Sequence, residues 1–332
     1  MIRFRNDNNA VQVSSPEPGW RIQNNSMEGI RGDAAVAMAG STGAIDTNFV
    51  TGNYIETVAV PGSFYGPDGV QNGSGMTIAH NVFKQVLAPL ATSDQHPDSI
   101  QNQGNNTRVY GNTFLNVGDS NFDFDTFADS APHDIYIYDN TFRIVDRIDP
   151  YPDFIRFYHS AGSQPSSIRN FVIANNLFAD ASNGGGIPPV NICYYDPCGS
   201  PPTSGTQVTN NIFVNSGSGG SGGAMLELSA NAGSSWVASH NVYYRPSAGY
   251  VRWKGAVYTA ASFVAGIDTS GRTSLPAFAG YAPGSATNDY HLRATDTVAR
   301  DTGASLATLF TVDADGVHRP QGAAWDRGPY ER

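Results

Sequence analysis

The chain has 332 residues, of which 14% are charged, and its 29 acidic and 19 basic residues give a formal net charge of −10. An acidic chain without a basic run is not expected to bind nucleic acid. No apolar stretch reaches the roughly 20 residues that span a membrane, so no membrane association is expected.

An asparagine followed by a short apolar run recurs along most of the chain. The copies are centred on Asn25, Asn53, Asn81, Asn112, Asn140, Asn176, Asn211 and Asn241. Subtracting successive numbers gives spacings of 28, 28, 31, 28, 36, 35 and 30 residues. A period of this length indicates a repeat architecture, in which each copy packs on its neighbours.

Each copy has an alternating run before the asparagine and a second one after it, as in IYIYD and NTFRIV around Asn140. Alternation with β-branched and aromatic residues predicts a strand, a corner and a strand. We expect the asparagine to adopt the left-handed conformation at the corner and to hydrogen-bond from coil to coil. The aromatic residues two places on are expected to stack inside: Phe83, Phe114, Phe142, Phe178, Phe213 and Tyr243.

A third alternating run precedes each pair, as in DGVQN from Asp68 and DSIQNQ from Asp98. Three short strands per coil predict an all-β fold, a single-stranded right-handed parallel β-helix with about eight coils. We expect this solenoid to occupy residues 1–250. Residues 251–332 are expected to form an irregular C-terminal capping segment that packs on it, with Arg319 docked on the last coil.

The repeated N-x-[FYI] coils from Asn25 to Tyr243 resemble the pectate-lyase-like right-handed parallel β-helix superfamily, in particular secreted bacterial β-helix repeat proteins. The tail motifs NDYHLRATDTVARDTGAS and DADGVHRPQGAAWDRGPYE are similar to the closing segment of such proteins, although Pro329 interrupts the usual D-x-G-A-Y-E pattern. The resemblance implies a polysaccharide substrate and a cleft on the first parallel sheet. It also implies a secreted or extracellular location, with the periplasm as an alternative.

The opening segment MIRFRNDNNAV contains no signal peptide. We therefore expect the chain to start at the mature protein or within a longer one, with an N-terminal cap removed or supplied by a neighbour. A monomer is expected, or a trimer if the protein resembles phage tails. Cys193 and Cys198 flank a proline-containing turn, which favours a local disulfide over a redox or metal pair.

Alternation in the first strand of each coil predicts a polar stripe on the outer face. Its members are Gln71, Gln101, Asp123, Asp125, Arg156, Tyr158, Asn191, Cys193 and Glu227. Long insertions before Asp98 and Asp153, and after Asp125 and Arg156, favour this face as the binding face. We predict that substrate is bound by His96, Gln101, Gln71, Asn191, Tyr195 and Glu227.

The first chemistry that fits these residues is β-elimination of a uronic-acid polymer, although the signatures of the better-known pectate lyases are absent from the sequence. Arg156 or His159 would act as the base or neutralise the substrate carboxylate, and Tyr158 would be the acid. Clustered carboxylates suit a hard cation, so Asp98, Asp123 and Asp125 are candidate ligands of Ca²⁺.

The second chemistry is glycoside hydrolysis, in which Asp98 works with Asp123 or Asp125 as an acid and base pair. The N-T-D, G-H-G and R-I-K signatures of polygalacturonase-like hydrolases are absent from the sequence, which weakens this alternative. A third possibility is a solenoid that binds glycans without cleaving them. Asp68 and Asp98 begin equivalent strands, so both are also candidates for a structural role that caps the turn into the strand.

Overall fold

The computed structural model describes residues 3–5, 10–14, 17–38, 44–59, 67–87, 97–116, 120–125, 131–144, 153–158, 165–180, 190–193, 201–216, 223–247 and 249–332. For residues 3–5, 59, 87, 125 and 158, which lie in strands, only the backbone is described. The described part of the chain is nearly all β, as the repeat predicts.

The strands are short and follow one another around successive coils. The first coils contain β1 (Arg3–Arg5), β2 (Val11–Val13), β3 (Arg21–Gln23), β4 (Ser26–Ile30), β5 (Ala34–Met38), β6 (Asn48–Thr51), β7 (Tyr54–Ala59), β8 (Asp68–Asn72), β9 (Met76–Ala79) and β10 (Val82–Leu87). The middle coils contain β11 (Asp98–Asn102), β12 (Thr107–Tyr110), β13 (Thr113–Leu115), β14 (Ser120–Asp125), β15 (His133–Tyr138), β16 (Thr141–Arg143), β17 (Asp153–Tyr158), β18 (Ile168–Ala174), β19 (Leu177–Ala179) and β20 (Val190–Ile192). The remaining elements are β21 (Thr203–Ser204), β22 (Gln207–Thr209), β23 (Ile212–Val214), β24 (Leu226–Leu228), β25 (Val237–Ser239), β26 (Val242–Tyr244), β27 (Tyr250–Trp253), β28 (Ala256–Thr259), α1 (Ala260–Gly266), β29 (Phe278–Gly280) and β30 (Asp289–Leu292).

Three parallel sheets run the length of the solenoid. Sheet A has the order β1-β4-β7-β10-β13-β16-β19-β23-β26, and sheet B has the order β2-β5-β8-β11-β14-β17-β20-β24-β27, with β28 added antiparallel at its end. Sheet C has the order β3-β6-β9-β12-β15-β18-β22-β25, and β21 also pairs with β18. Each strand pairs with its counterpart one coil on, which confirms the predicted right-handed parallel β-helix.

The repeated asparagines form a continuous ladder between sheets C and A. We call the eight residues identified by the repeat, from Asn25 to Asn241, the Asn ladder. From Asn53 onward, the Oδ1 atom of each accepts hydrogen bonds from the backbone N–H and Nδ2 of its predecessor, at 2.9 to 3.1 Å. The ladder ends on Asp268, whose Oδ2 accepts both bonds from Asn241. A carboxylate suits this last place, because it has only acceptors to offer.

The expected conformation of the ladder asparagines was wrong. The left-handed residue at each corner is the one before the ladder, as at Asn24 (φ 56°), Gly52 (φ 69°), His80 (φ 54°) and Asp139 (φ 54°). The chain turns at this preceding residue, so the ladder residue is free to direct its amide into the interior of the corner. The preceding position therefore contains Gly, Asn, Asp or His, residue types that tolerate a positive φ.

Aromatic rings fill the core beneath sheet A, as the sequence predicts. The rings from Phe83 to Tyr243 form one stack whose successive centroids are 4.5 to 5.4 Å apart. Phe263 of α1 meets the last ring edge-on at 5.5 Å and thereby covers the end of the stack. The first turn of α1 is capped by Thr259, whose hydroxyl accepts from the N–H of Ser262 at 3.1 Å.

The chain after α1 returns along the corner between sheets A and C. Asn175 donates to the carbonyl of Asp326 at 2.9 Å, and the buried Arg319 donates to Asp139 and Glu331, both at 2.8 Å. Because Asp139 lies between β15 and β16, Arg319 docks on a middle coil. The expectation that it would dock on the last coil was wrong, because the segment reverses direction after α1.

Candidate functional site

The predicted polar stripe forms one column on the outer face of sheet B. Strand pairing aligns its members directly with one another, in the order Gln71, Gln101, Asp123, Arg156, Asn191, Glu227 and Arg252. We call these seven residues the outer column. Neighbouring members lie about 4.8 Å apart along the solenoid, because that is the spacing of paired strands.

Arg156 lies at the centre of the charged part of this column. Its Nε donates to Asp123 Oδ1 at 3.1 Å, and its Nη atoms lie 3.9 Å from Asp98 Oδ1 and 3.8 Å from Asp153 Oδ2. Three carboxylates thus surround one guanidinium, with 19% of the arginine side chain exposed. At this point of the outer column, acidic and basic side chains lie close together.

The aspartates that begin the strands of sheet B have a structural role. Asp68 Oδ1 accepts from the N–H of Asp98 at 2.8 Å, and Asp98 Oδ1 accepts from the N–H of Ser120 at 3.0 Å. Gln71 Nε2 donates to the second oxygen of Asp68 at 2.9 Å. Each carboxylate therefore caps the first N–H of the next strand of sheet B, which confirms the structural alternative.

The later coils extend the column beyond the predicted stripe. Glu227 Oε2 accepts from Arg252 Nη1 at 2.6 Å, so the column contains a second carboxylate–guanidinium pair. Arg252 was not predicted from the sequence, although the alternation of YVRW continues the pattern into β27. Between the two pairs lies Asn191, which is fully buried, and neither of its amide atoms has a hydrogen-bond partner among the described residues.

The longest intervals between consecutive strands of the solenoid all precede or follow a strand of sheet B along the chain. Every connection from sheet C to sheet A has two residues, as at 80–81 and 139–140. The connections of seven or more residues all lead into or out of sheet B, and they are 14–20, 39–47, 60–67, 88–97, 126–132, 144–152, 159–167, 180–189, 193–202, 215–225 and 229–236. A solenoid tolerates insertions where they do not interrupt stacking, and such insertions commonly gather around a binding face.

Several predicted site residues lie outside the described part of the chain. They are His96, His159 and Tyr195, together with the side chains of Asp125 and Tyr158. The backbones of Asp125 and Tyr158 are paired across β14 and β17. Cys193 is disulfide-bonded, and Cys198 is the only other cysteine in the chain. The predicted roles of these residues in catalysis and binding stay predictions.

Two further properties of the described ranges bear on function. Among these residues, no group of three or more His, Cys, Asp or Glu side chains is arranged to hold a metal ion. No helix in the described ranges is both long enough and apolar enough to cross a membrane. Comparison of the sequence with models of known protein families, and with curated proteins, gave no match.

Proposed function

We propose that the protein binds an extended polysaccharide along the outer face of sheet B and hydrolyses it there. The observation that carries this proposal is the outer column, an in-register series of amide, carboxylate and guanidinium groups on the strands that the longest intervals of the solenoid precede or follow. A linear polymer with polar groups at regular intervals is the ligand that such a column matches.

The balance of charge favours hydrolysis over elimination. Elimination requires a cation that neutralises the uronate carboxylate, but Arg156 and Arg252 already bind carboxylates. Hydrolysis requires two carboxyl groups, and Asp123 and Asp125 lie two residues apart on β14.

The second candidate is elimination of a uronic-acid polymer with Ca²⁺. It is supported by the three carboxylates that lie near Arg156, because carboxylate oxygens are ligands that Ca²⁺ prefers and a bound Ca²⁺ would bridge to a uronate. Neither chemistry indicates by itself where the protein acts. The proposed extracellular location rests on the resemblance of the repeats.

The test is a screen of neutral and uronate polysaccharides, with Ca²⁺ or with a chelator, that measures reducing ends and the ultraviolet absorbance of new double bonds. Hydrolysis raises reducing ends without absorbance, whereas elimination raises both. Asp123→Asn should reduce the rate by at least about 100-fold, because it removes a proton-transfer group. Glu56→Gln is the matched control, since Glu56 pairs with Lys84 at 3.2 Å on the outside of sheet A. Inactivity on every polymer, or an Asp123→Asn variant as active as the control, would refute the proposal.

A further inference from the structure

A cavity of about 330 Å³ lies on the outer face of sheet C, away from the outer column. Its floor is formed by β12, β15 and β18, and residues 308–310 of the returning C-terminal segment form one wall. Ala44 and Ile45 also line it. The volume is at the lower end of the range for small-molecule sites, so it matches one or two sugar units.

The cavity lies beside a stack of aromatic rings on sheet C. One row of side chains carries the complete stack, whereas the neighbouring row has no described ring at the equivalent place. Tyr110 and Tyr138 stack at 4.9 Å, and Ala174 follows them on β18. Phe310 continues this stack over the small alanine, 4.2 Å from Tyr138.

Beside this filled stack, Tyr136 is aligned with Val172 on β18, and both line the cavity. No aromatic side chain among the described residues occupies the place next to Tyr136 that Phe310 occupies next to Tyr138. The apolar face of a sugar ring has the flat shape that packs against an aromatic ring.

Polar groups gather at the same end of the cavity as Tyr136. Asp134 accepts hydrogen bonds from Asn170 at 2.7 Å, His133 at 2.8 Å and the hydroxyl of Tyr136 at 3.1 Å. Burial alone would raise the pKa of Asp134, but these three hydrogen bonds outweigh it and hold the pKa below its usual value. A carboxylate has about four acceptor positions, so one remains for a ligand hydroxyl.

The charges around the cavity favour a neutral ligand. Arg108 forms a 2.7 Å ion pair with Asp46 and also lies over the ring of Tyr136, 6.0 Å from its centroid. The nearby carboxylates of Asp46 and Asp134 outnumber this one guanidinium, so a phosphate or a uronate would be repelled. Hydroxyl groups can accept from Arg108 and donate to Asp134 at once.

We propose that this cavity is a second glycan-binding site, which takes a neutral saccharide unit stacked on Tyr136 with its hydroxyl groups between Asp134 and Arg108. The site does not depend on cleavage at sheet B, because the two faces share none of these residues. It would hold the protein on a neutral glycan whether or not the outer column is catalytic.

The test is titration calorimetry of the full chain with methyl glycosides of neutral hexoses and pentoses, using methyl galacturonoside and inorganic phosphate as charged probes. At least one neutral glycoside should bind, and the charged probes should not. Asp134→Asn should weaken binding about tenfold or more, because it removes the charge and replaces one acceptor oxygen with an amide donor, which leaves too few acceptor positions for the sugar hydroxyl. Val172→Phe should abolish binding by filling the open place beside Tyr136.

One control variant and a folding check accompany the titration. Glu56→Gln, on the outside of sheet A, should bind the glycoside as the unchanged protein does, and circular dichroism melting should show that all variants are folded. Absence of binding by any neutral glycoside would overturn the proposal. Binding that survives both Asp134→Asn and Val172→Phe in folded protein would overturn it too, as would preferential binding of a charged probe.

Discussion

Replacing Asn140 with alanine removes a rung from the middle of the Asn ladder. The Oδ1 atom of Asn140 accepts from the N–H and Nδ2 of Asn112, both at 3.0 Å. Its Nδ2 donates to the carbonyls of Val109 at 2.9 Å and Tyr138 at 3.0 Å, and to Oδ1 of Asn176 at 3.0 Å. All of these bonds are buried, so no water replaces the lost amide.

The expected loss of unfolding free energy is about 4 kcal/mol. The N–H of Asn112 loses its acceptor and remains buried, which costs roughly 2 kcal/mol. Loss of the hydrogen bonds that Asn140 donates accounts for the rest of the expected loss. Each has a net value of about 1 kcal/mol, and relaxation of neighbouring groups reduces their sum. The loss should therefore be clearly larger than that of an ordinary surface substitution.

Asn25→Ala is the matched control, because it removes the same side chain at the first rung. Asn25 is only partly buried, and its Nδ2 donates to Asn53 at 3.1 Å. Water can reach this rung, so we expect a loss of about 1 kcal/mol. Urea unfolding followed by circular dichroism measures both variants. Equal losses, or a loss below about 1 kcal/mol for Asn140→Ala, would show that the buried ladder does not stabilise the corners.

Three further predictions concern the core and the C-terminal segment. Phe142→Ala should lower the unfolding free energy by about 3–5 kcal/mol, since the ring stacks between two others at 4.5 and 5.0 Å. Arg319→Met should cost about 3–5 kcal/mol, because it leaves two buried carboxylates without their cation. Burial alone would lower the pKa of His291, but hydrogen bonds to Asp315 and Asp289 raise it above its usual value. The stability that His291 contributes is therefore present below its unfolded pKa and is lost as pH rises through the folded pKa.

Each of these predictions has a measurement that could contradict it. Urea unfolding would contradict the first two if either variant lost less than about 1 kcal/mol. Thermal melting between mildly acidic and mildly alkaline pH tests the third, with His291→Asn as the reference. If the unchanged protein and this variant showed the same pH dependence, the histidine bridge would contribute nothing to stability.

The period of the repeat was enough to predict the fold and much of the proposed site. Asparagine and an aromatic residue recur at set places, because every coil must supply the same rung and the same ring to its neighbours. Strand alternation then predicted which side of sheet B is polar. The in-register order from Gln71 to Glu227 confirms that part of the prediction, since parallel pairing preserves alternation from coil to coil.

The tertiary structure decided what the local pattern does not contain. Alternation groups Asp98 with the inward-facing Ile100 and not with Arg156. Only the side-chain geometry shows that Asp98 caps Ser120 and also lies 3.9 Å from the guanidinium of Arg156. Likewise, the residue before each ladder asparagine adopts the left-handed conformation. The sequence does not decide this, because both positions contain residue types that tolerate a positive φ.

Contacts between distant parts of the chain were the least predictable. Arg319 reaches Asp139 across 180 residues, and Phe310 completes a ring stack begun by Tyr110 and Tyr138. A periodic sequence predicts the coils because their contacts repeat at a nearly constant interval. The returning C-terminal segment makes each of its contacts once, so no period predicts them, and the cavity beside Tyr136 forms only after the chain has folded back.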